Sequence, residues 1–237
     1  MILGSGLIAS AFRSLAEEPG TLIFASGVSN STTAKDADYL REQQMLKEHV
    51  GITARLVYFS TTSLYDPSLC STAYILHKSR MEQLVRALFP DHIIFRLPNI
   101  IGPGSNPHTL CNHIRDSILA RRTLHVHLRA CRYLMDVDTL FGACQGMIMD
   151  DAYRGMTVNT CFDQPVRIPD LVAAMELALG EKATVAEEER GACYQVDNAL
   201  FKAHWHAARL GPWPEADDWR PVIMKYYGNR DPSPARS

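Results

Sequence analysis

No apolar run in the chain approaches the roughly 20 residues that a membrane-spanning helix needs, so no membrane association is expected. Charge of neither sign dominates: 26 acidic residues stand against 24 basic ones, a formal net charge of -2. A nucleic-acid surface needs clustered Lys and Arg. The small basic group Arg121, Arg122, Arg129 and Arg132 reads as a solvated face, and no nucleic-acid partner is expected. The six cysteines carry no CxxC pair and no secreted-scaffold rhythm. With no signal-peptide pattern ahead of the first strand, a reducing cytoplasm is the expected compartment. His108, Cys111, His113, His125, His127 and Cys131 match no compact zinc spacing, so no metal is expected. Linker composition and internal repeats are also missing. At 237 residues, one domain covering 1–237 is long enough to bury a sizeable core.

Strand and helix patterns alternate along the chain, which implies a parallel sheet covered on both faces. Residues 1–3 form a short strand that feeds Gly4-Ser5-Gly6-Leu7-Ile8-Ala9, a G-x-G-x-x-A turn before a helix expected to reach about Glu17. Backbone amides and the helix dipole at such a junction favour a phosphate; a tight turn without ligand is the bland alternative. A second strand over 21–25 runs into Ser26-Gly27-Val28-Ser29-Asn30. It lacks the acid that ordinarily ends the second strand of a dinucleotide fold and holds the adenine ribose. Further expected elements are a helix over 36–50, strands over 54–60 and 92–97, and a Pro/Gly/Asn loop over 98–107. Beyond these come a helix over 108–121, an alternating strand over 124–128, a helix over 138–149, a strand over 157–161 and a helix over 168–179. The charge run Glu187-Glu188-Glu189-Arg190 reads as a solvated turn or helix start, and 196–209 as helical. Trp213, Trp219, Tyr226 and Tyr227 are too apolar for a free tail, whereas the last residues should be disordered.

The chemistry concentrates in Tyr74-Ile75-Leu76-His77-Lys78 at the start of a helix over 74–88, with Ser71 and Thr72 as caps and Pro90 as the stop. Residues four apart share one helix face. A lysine ammonium beside a phenol favours the phenolate, and so offers a tyrosine acid/base near neutral pH. Shortly before it, the strand Leu56–Ser60 ends in the hydroxyls of Thr61, Thr62 and Ser63, placed to hold a substrate oxygen.

Thr61, Tyr74 and Lys78 in this order, followed by Arg96-Leu97-Pro98-Asn99-Ile100-Ile101-Gly102-Pro103-Gly104, resemble the catalytic set of the NAD-dependent epimerase/dehydratase family, the extended short-chain dehydrogenases/reductases. The segment 132–140 and residues 158–179 resemble that family's later segments. The resemblance covers most of the chain to about Leu200. It implies an α/β, Rossmann-like, doubly wound parallel sheet with a small carboxy-terminal substrate lobe drawn mainly from 99–237. Because 21–30 resembles the family's fourth strand, the sheet is expected to be shortened, without its adenosine-side strands.

By the same resemblance the catalytic residues are Thr61, Tyr74 and Lys78. Gly4, Gly6, Leu7, Ile8, Ala25, Ser26, Gly27, Tyr74, Lys78 and Pro98 would line NAD or NADP; Thr62, Asn99 and His108 would meet the substrate. The implied activity is that of an oxidoreductase or epimerase acting on a hydroxyl or keto group of a sugar, and the implied partners are a nucleotide sugar and a second copy of the chain, as a homodimer. Thr62 and Ser63 replace the acidic pair of the 4,6-dehydratases, which argues against that elimination; Asp66, Cys70 and His77 are nearby substitutes with ordinary structural readings. Cofactor-free acid/base chemistry, or ligand binding without catalysis, remain the alternatives.

Overall fold

The computed structural model describes residues 1–28, 35–52 and 55–228. The expectations for Ser29, Asn30, Ala54 and the last nine residues lie outside them. In chain order the strands and helices are β1 (Ile2–Leu3), α1 (Leu7–Ala11), β2 (Thr21–Phe24), α2 (Asp36–Lys47), β3 (Arg55–Thr61), α3 (Ala73–Leu88), β4 (His92–Leu97) and β5 (Asn99–Ile101). They continue as α4 (Leu110–Leu119), β6 (Thr123–His127), β7 (Cys131–Arg132), β8 (Leu134–Asp136), α5 (Val137–Met149) and β9 (Met156–Asn159). Last come β10 (Val166–Arg167), α6 (Ile168–Leu179), β11 (Thr184–Glu188), α7 (Ala199–Ala207) and α8 (Trp219–Tyr227).

Among the described residues the central sheet has the order β1-β2-β3-β4-β9, parallel throughout. Every residue of β2 and β3 is buried, as strands covered on both faces require. Alternate side chains divide between two cores. Ile23, Val57, Phe59, Ile93, Phe95 and Val158 pack beneath Phe12, α5 and α7. Leu22, Phe24, Leu56, Tyr58 and Ile94 pack against Leu46 of α2 and Met81 and Val85 of α3. A separate core joins β5, α4, β6, α6 and α8, with Ile114, Leu124, Leu171, Met175 and Ile223 at its centre.

The connections have an unusual feature. From β1 to β2, from β2 to β3 and from β3 to β4, each step moves one place in the same direction across the sheet. Yet α1 packs on the α5 face while α2 and α3 pack on the opposite one. The crossover through α1 therefore has the opposite hand to those through α2 and α3, whereas such crossovers are right-handed in about 98% of cases.

Several expectations are corrected. The first helix stops at Ala11, and a 3-10 turn over Arg13–Leu15 replaces its continuation. The 98–107 segment is not wholly loop: Asn99–Ile101 pairs in parallel with β8. Glu187 and Glu188 belong to a strand, because β11 pairs with β6 along its whole length and sets Glu188 against His125 and His127. Cys131 and Cys193 form a disulfide across 62 residues, a pairing that sequence spacing does not reveal. As expected of residues too apolar for a free tail, the aromatics dock: Tyr227 enters the core formed by α4 and α6, and Trp213 packs against Phe201 and Trp205. No helix among the described residues is long and apolar enough to cross a membrane.

Candidate functional site

The glycine turn, the end of β2, the end of β3, the first turn of α3 and the loop after β4 meet on one rim of the sheet, at the carboxyl ends of its strands. Gly4 has φ of 122°, a conformation for glycine. A Cβ there would run into the Ala25 carbonyl, so the turn lies directly against the end of β2. Gly6 caps α1 and is open, with no atom within 4 Å of where its Cβ would stand. Leu7 reaches across the rim: its Cδ1 would lie 2.8 Å from a Cβ on Gly102. Ile8 turns inward and joins the α5-side core.

The helix that carries the tyrosine is held at its start and near its middle. The Thr72 hydroxyl accepts from the Ile75 N–H at 3.4 Å, a cap at its start. Further along, Arg96 of β4 forks onto Glu82 with bonds of 2.8 and 2.7 Å. Tyr74, half-buried, lies near Thr61 at this junction, and the Thr61 hydroxyl acts to lower the pKa of its phenol. Thr61 also caps the turn that follows β3, accepting from the Ser63 N–H at 3.1 Å. Thr62 is buried, and its hydroxyl donates to the Leu97 carbonyl at 3.3 Å, directly before Pro98.

Lys78 does not stand free beside the tyrosine. It is 3% exposed, and its ammonium donates to Glu42 Oε1 at 3.0 Å and to the Tyr58 hydroxyl at 3.1 Å. Glu42 is fully buried. Its Oε1 also accepts from Tyr58 at 2.8 Å; its Oε2 accepts from the Val28 N–H at 2.8 Å and meets His77 Nε2 at 2.9 Å. A Cβ on Gly27 would fall 2.7 Å from the Lys78 nitrogen, so the backbone leaving β2 lies over the ion pair.

The electrostatics follow from this packing. Burial works against the charged form of Glu42, but Lys78, His77, the Val28 amide and Tyr58 outweigh it and hold the carboxyl far below its ordinary range. Burial likewise works against the Lys78 ammonium, which Tyr58, Glu42 and Tyr74 keep well above the usual lysine value. For Tyr74, burial raises the phenol above its ordinary 10. Lys78 and Thr61 pull it down and Glu42 pushes it up, with an upward balance. Lys78 thus acts on the phenol in the downward sense expected from spacing, while burial and Glu42 oppose it.

Other candidates fall elsewhere. Asn99 spends its backbone N–H and its side-chain amide on the Tyr133 carbonyl, at 2.9 and 3.2 Å. His108 is exposed before α4, and none of its contacts joins it to Tyr74. Asp66 is fully buried and paired with Arg132 at 2.8 Å, and His77 stacks on Tyr39 at 4.4 Å between ring centroids, so neither opens onto the rim. Glu42 and Tyr58 are site residues that the pattern reading missed. The available signal was spacing: Tyr39, Glu42 and Leu46 form the buried stripe of α2, while Leu40 is exposed. No group of three or more His, Cys, Asp or Glu residues able to hold a metal occurs among the described residues.

No protein-family model matches the chain, and no curated protein matches it significantly. Solved structures do. UDP-glucose 4-epimerase of Thermus thermophilus, in complex with NAD, aligns over 93% of this chain and 81% of its own at 15% identity, with a TM-score of 0.67. MoeE5 in complex with UDP-glucuronic acid and NAD aligns over 95% and 83% at 14% identity, TM-score 0.71. UDP-glucuronic acid 4-epimerase of Bacillus cereus, in complex with UDP-glucuronic acid and NAD, aligns over 94% and 80% at 15% identity, TM-score 0.68. At these identities the likeness is one of fold: the chain has the Rossmann-like α/β architecture of these proteins.

Proposed function

We propose that the chain is an oxidoreductase or epimerase acting on a hydroxyl or keto group of a sugar, a nucleotide-linked one, with Tyr74 exchanging the proton. The observation that carries this reading is the meeting of Tyr74 and Thr61 on the same rim as an open glycine turn. The partner and substrate classes come from the fold neighbours crystallised with UDP sugars.

A nicotinamide dinucleotide, where bound, would supply or accept the hydride. The residues present suit its nicotinamide and pyrophosphate half. Gly6 leaves an exposed, uncrowded position for a diphosphate, Gly4 packs the turn against the end of β2, and the Leu7 and Ile8 amides lie behind it. Ala25, Ser26 and Gly27 run past that turn, and the Pro98 backbone flanks the far side. Lys78 has one of its three N–H groups uncommitted, enough for a ribose hydroxyl. Thr61 orients the substrate oxygen and Tyr74 holds the proton at its phenol oxygen, with Thr62 and Asn99 bordering the substrate's space.

Adenosine-side support is a different matter. We read the chain as a shortened member of this fold: β1 is an edge strand among the described residues, and the hand of the α1 crossover suits a helix that once led to strands beyond β1. On this reading NAD and NADP bind weakly, and a fluorescence titration with NADH and NADPH measures how weakly. A second copy of the chain is the proposed partner for the outer faces of α2 and α3, where Leu40 and Leu76 are 63% and 56% exposed; sedimentation as a monomer at micromolar concentration would contradict that.

The decisive experiment is Tyr74→Phe, assayed on a panel of UDP sugars with NAD. Loss of general acid/base catalysis should lower turnover by about 10²–10⁴-fold with the fold intact; unchanged turnover refutes the assignment. A second reading, acid/base chemistry without a redox cofactor, is favoured by one observation, the engagement of Lys78 by Glu42. Solvent deuterium entering the substrate with no cofactor added would support it.

A further inference from the structure

The buried carboxylate behind the tyrosine has no role in the reaction as described above, yet it controls the charge there. Glu42 receives four donors on two oxygens: Tyr58 and Lys78 on Oε1, the Val28 amide and His77 on Oε2. That arrangement uses the acceptor capacity of an ionised carboxylate, and a protonated acid would set a fifth hydrogen among four. Opposite it, the Lys78 ammonium is fixed by two of those same groups, and the side chains of the pair are 0% and 4% exposed. With no water to screen them, the two charges act on their surroundings as a closely paired dipole rather than as a free cation.

The groups that face the Tyr74 phenol come from every element around it. Lys78 approaches from its own helix, Glu42 and Tyr39 from α2, and the Thr61 hydroxyl from the end of β3. Tyr58 stands behind Lys78, and His77 behind Glu42. Burial is the largest influence on that phenol, Lys78 pulls it down and Glu42 pushes it up, so how completely Glu42 offsets Lys78 bears on its protonation.

We propose that Glu42 is a positioning residue that keeps Tyr74 in its phenol form, by holding Lys78 in a buried ion pair, so that the resting site presents a proton donor. The inference rests on the reading of Tyr74 as the proton-exchanging group, and it narrows the substrate class. A resting phenol suits a substrate whose oxygen is a hydrogen-bond acceptor, the keto form of a sugar, rather than a hydroxyl that must first give up a proton.

The test is an alkaline titration followed by phenolate absorbance, with Tyr74→Phe subtracted to isolate one tyrosine among nine. In the parent protein the Tyr74 midpoint should lie above its ordinary 10. Glu42→Gln should move its midpoint down by about one to three units, the effect of releasing a neighbouring cation. A Tyr74 midpoint below 10 in the parent protein, or an unmoved midpoint in Glu42→Gln, overturns the proposal. If Glu42→Gln does not fold, Gly27→Ala is titrated instead, since its methyl would press on both Lys78 and Glu42, and an unmoved Tyr74 midpoint there overturns the proposal. A purely structural Glu42 would leave the midpoint unchanged while lowering stability. Turnover is not read in this experiment, so a failure of the catalytic reading appears separately, in the activity of Tyr74→Phe.

Discussion

Replacing Glu42 by glutamine should destabilise the chain by about 3–5 kcal/mol, the usual result of breaking a buried ion pair from one side. The magnitude can be built from the site. Four donors converge on the carboxylate, and the one oxygen of a glutamine amide serves two of them. Two donors then lose their acceptor, at about 1–3 kcal/mol each, and the new NH₂ group faces them as a further donor. Lys78 meanwhile keeps its charge at 4% side-chain exposure with only Tyr58 and the amide to hold it. Urea unfolding of the parent and variant measures the difference. Lys78→Met should cost a similar amount, by stranding the carboxylate. The double variant Glu42→Gln/Lys78→Met should recover most of the loss, since removal of both charges is often close to neutral. The coupling energy should then exceed about 2 kcal/mol. A single-variant loss below about 1 kcal/mol, or additive losses, would refute the account of this pair.

The same pair sets a pH window. Folding depresses the Glu42 carboxyl below its ordinary 4.5, so its contribution is complete above that value and fades as the pH falls toward the folded one. Folding raises Lys78 above its ordinary 10.5, so its contribution is complete below that value and fades only as the pH rises beyond it. The parent should therefore be more stable than Glu42→Gln by a constant margin between these limits, and the margin should shrink in acid. A margin that grows in acid would reverse the sign of the argument.

Two glycines give sharper local tests. Gly4→Ala should destabilise by about 1–3 kcal/mol, because φ of 122° strains any L-residue and the methyl meets the Ala25 carbonyl; urea unfolding checks it. Gly27→Ala places a methyl 2.7 Å from the Lys78 nitrogen and 3.2 Å from Glu42 Oε1, so it should loosen the pair at about 1–3 kcal/mol and lower the Tyr74 titration midpoint in the same protein. A Gly27→Ala protein as stable as the parent would mean that the backbone over the pair yields freely.

How legible this was from the sequence depends on which interactions set each feature. Local rules sufficed where one element decides for itself. The Thr72 cap and the stop at Pro90 bracket α3, and the apolar runs 56–60 and 92–97 are too dense for anything but strands buried on both faces. They failed where the deciding partner is distant. Glu187 and Glu188 read as a solvated turn because their neighbour β6 lies some 60 residues earlier, and Cys131 finds Cys193 across a similar gap. The tyrosine–lysine pair shows the limit most clearly. Spacing put both residues on one helix and implied that a bare ammonium would lower the phenol. Whether it does depends on a carboxylate 36 residues before the lysine, on another helix, at a position where an apolar stripe would ordinarily hold a leucine. Glu42 interrupts that stripe between Tyr39 and Leu46. An acid at a core-facing helical position is a local rule broken, and such a residue stays folded only if enough donors converge on it. The break in the pattern was visible in the sequence; what it served was not, since its four donors come from β2's end, β3 and α3 together.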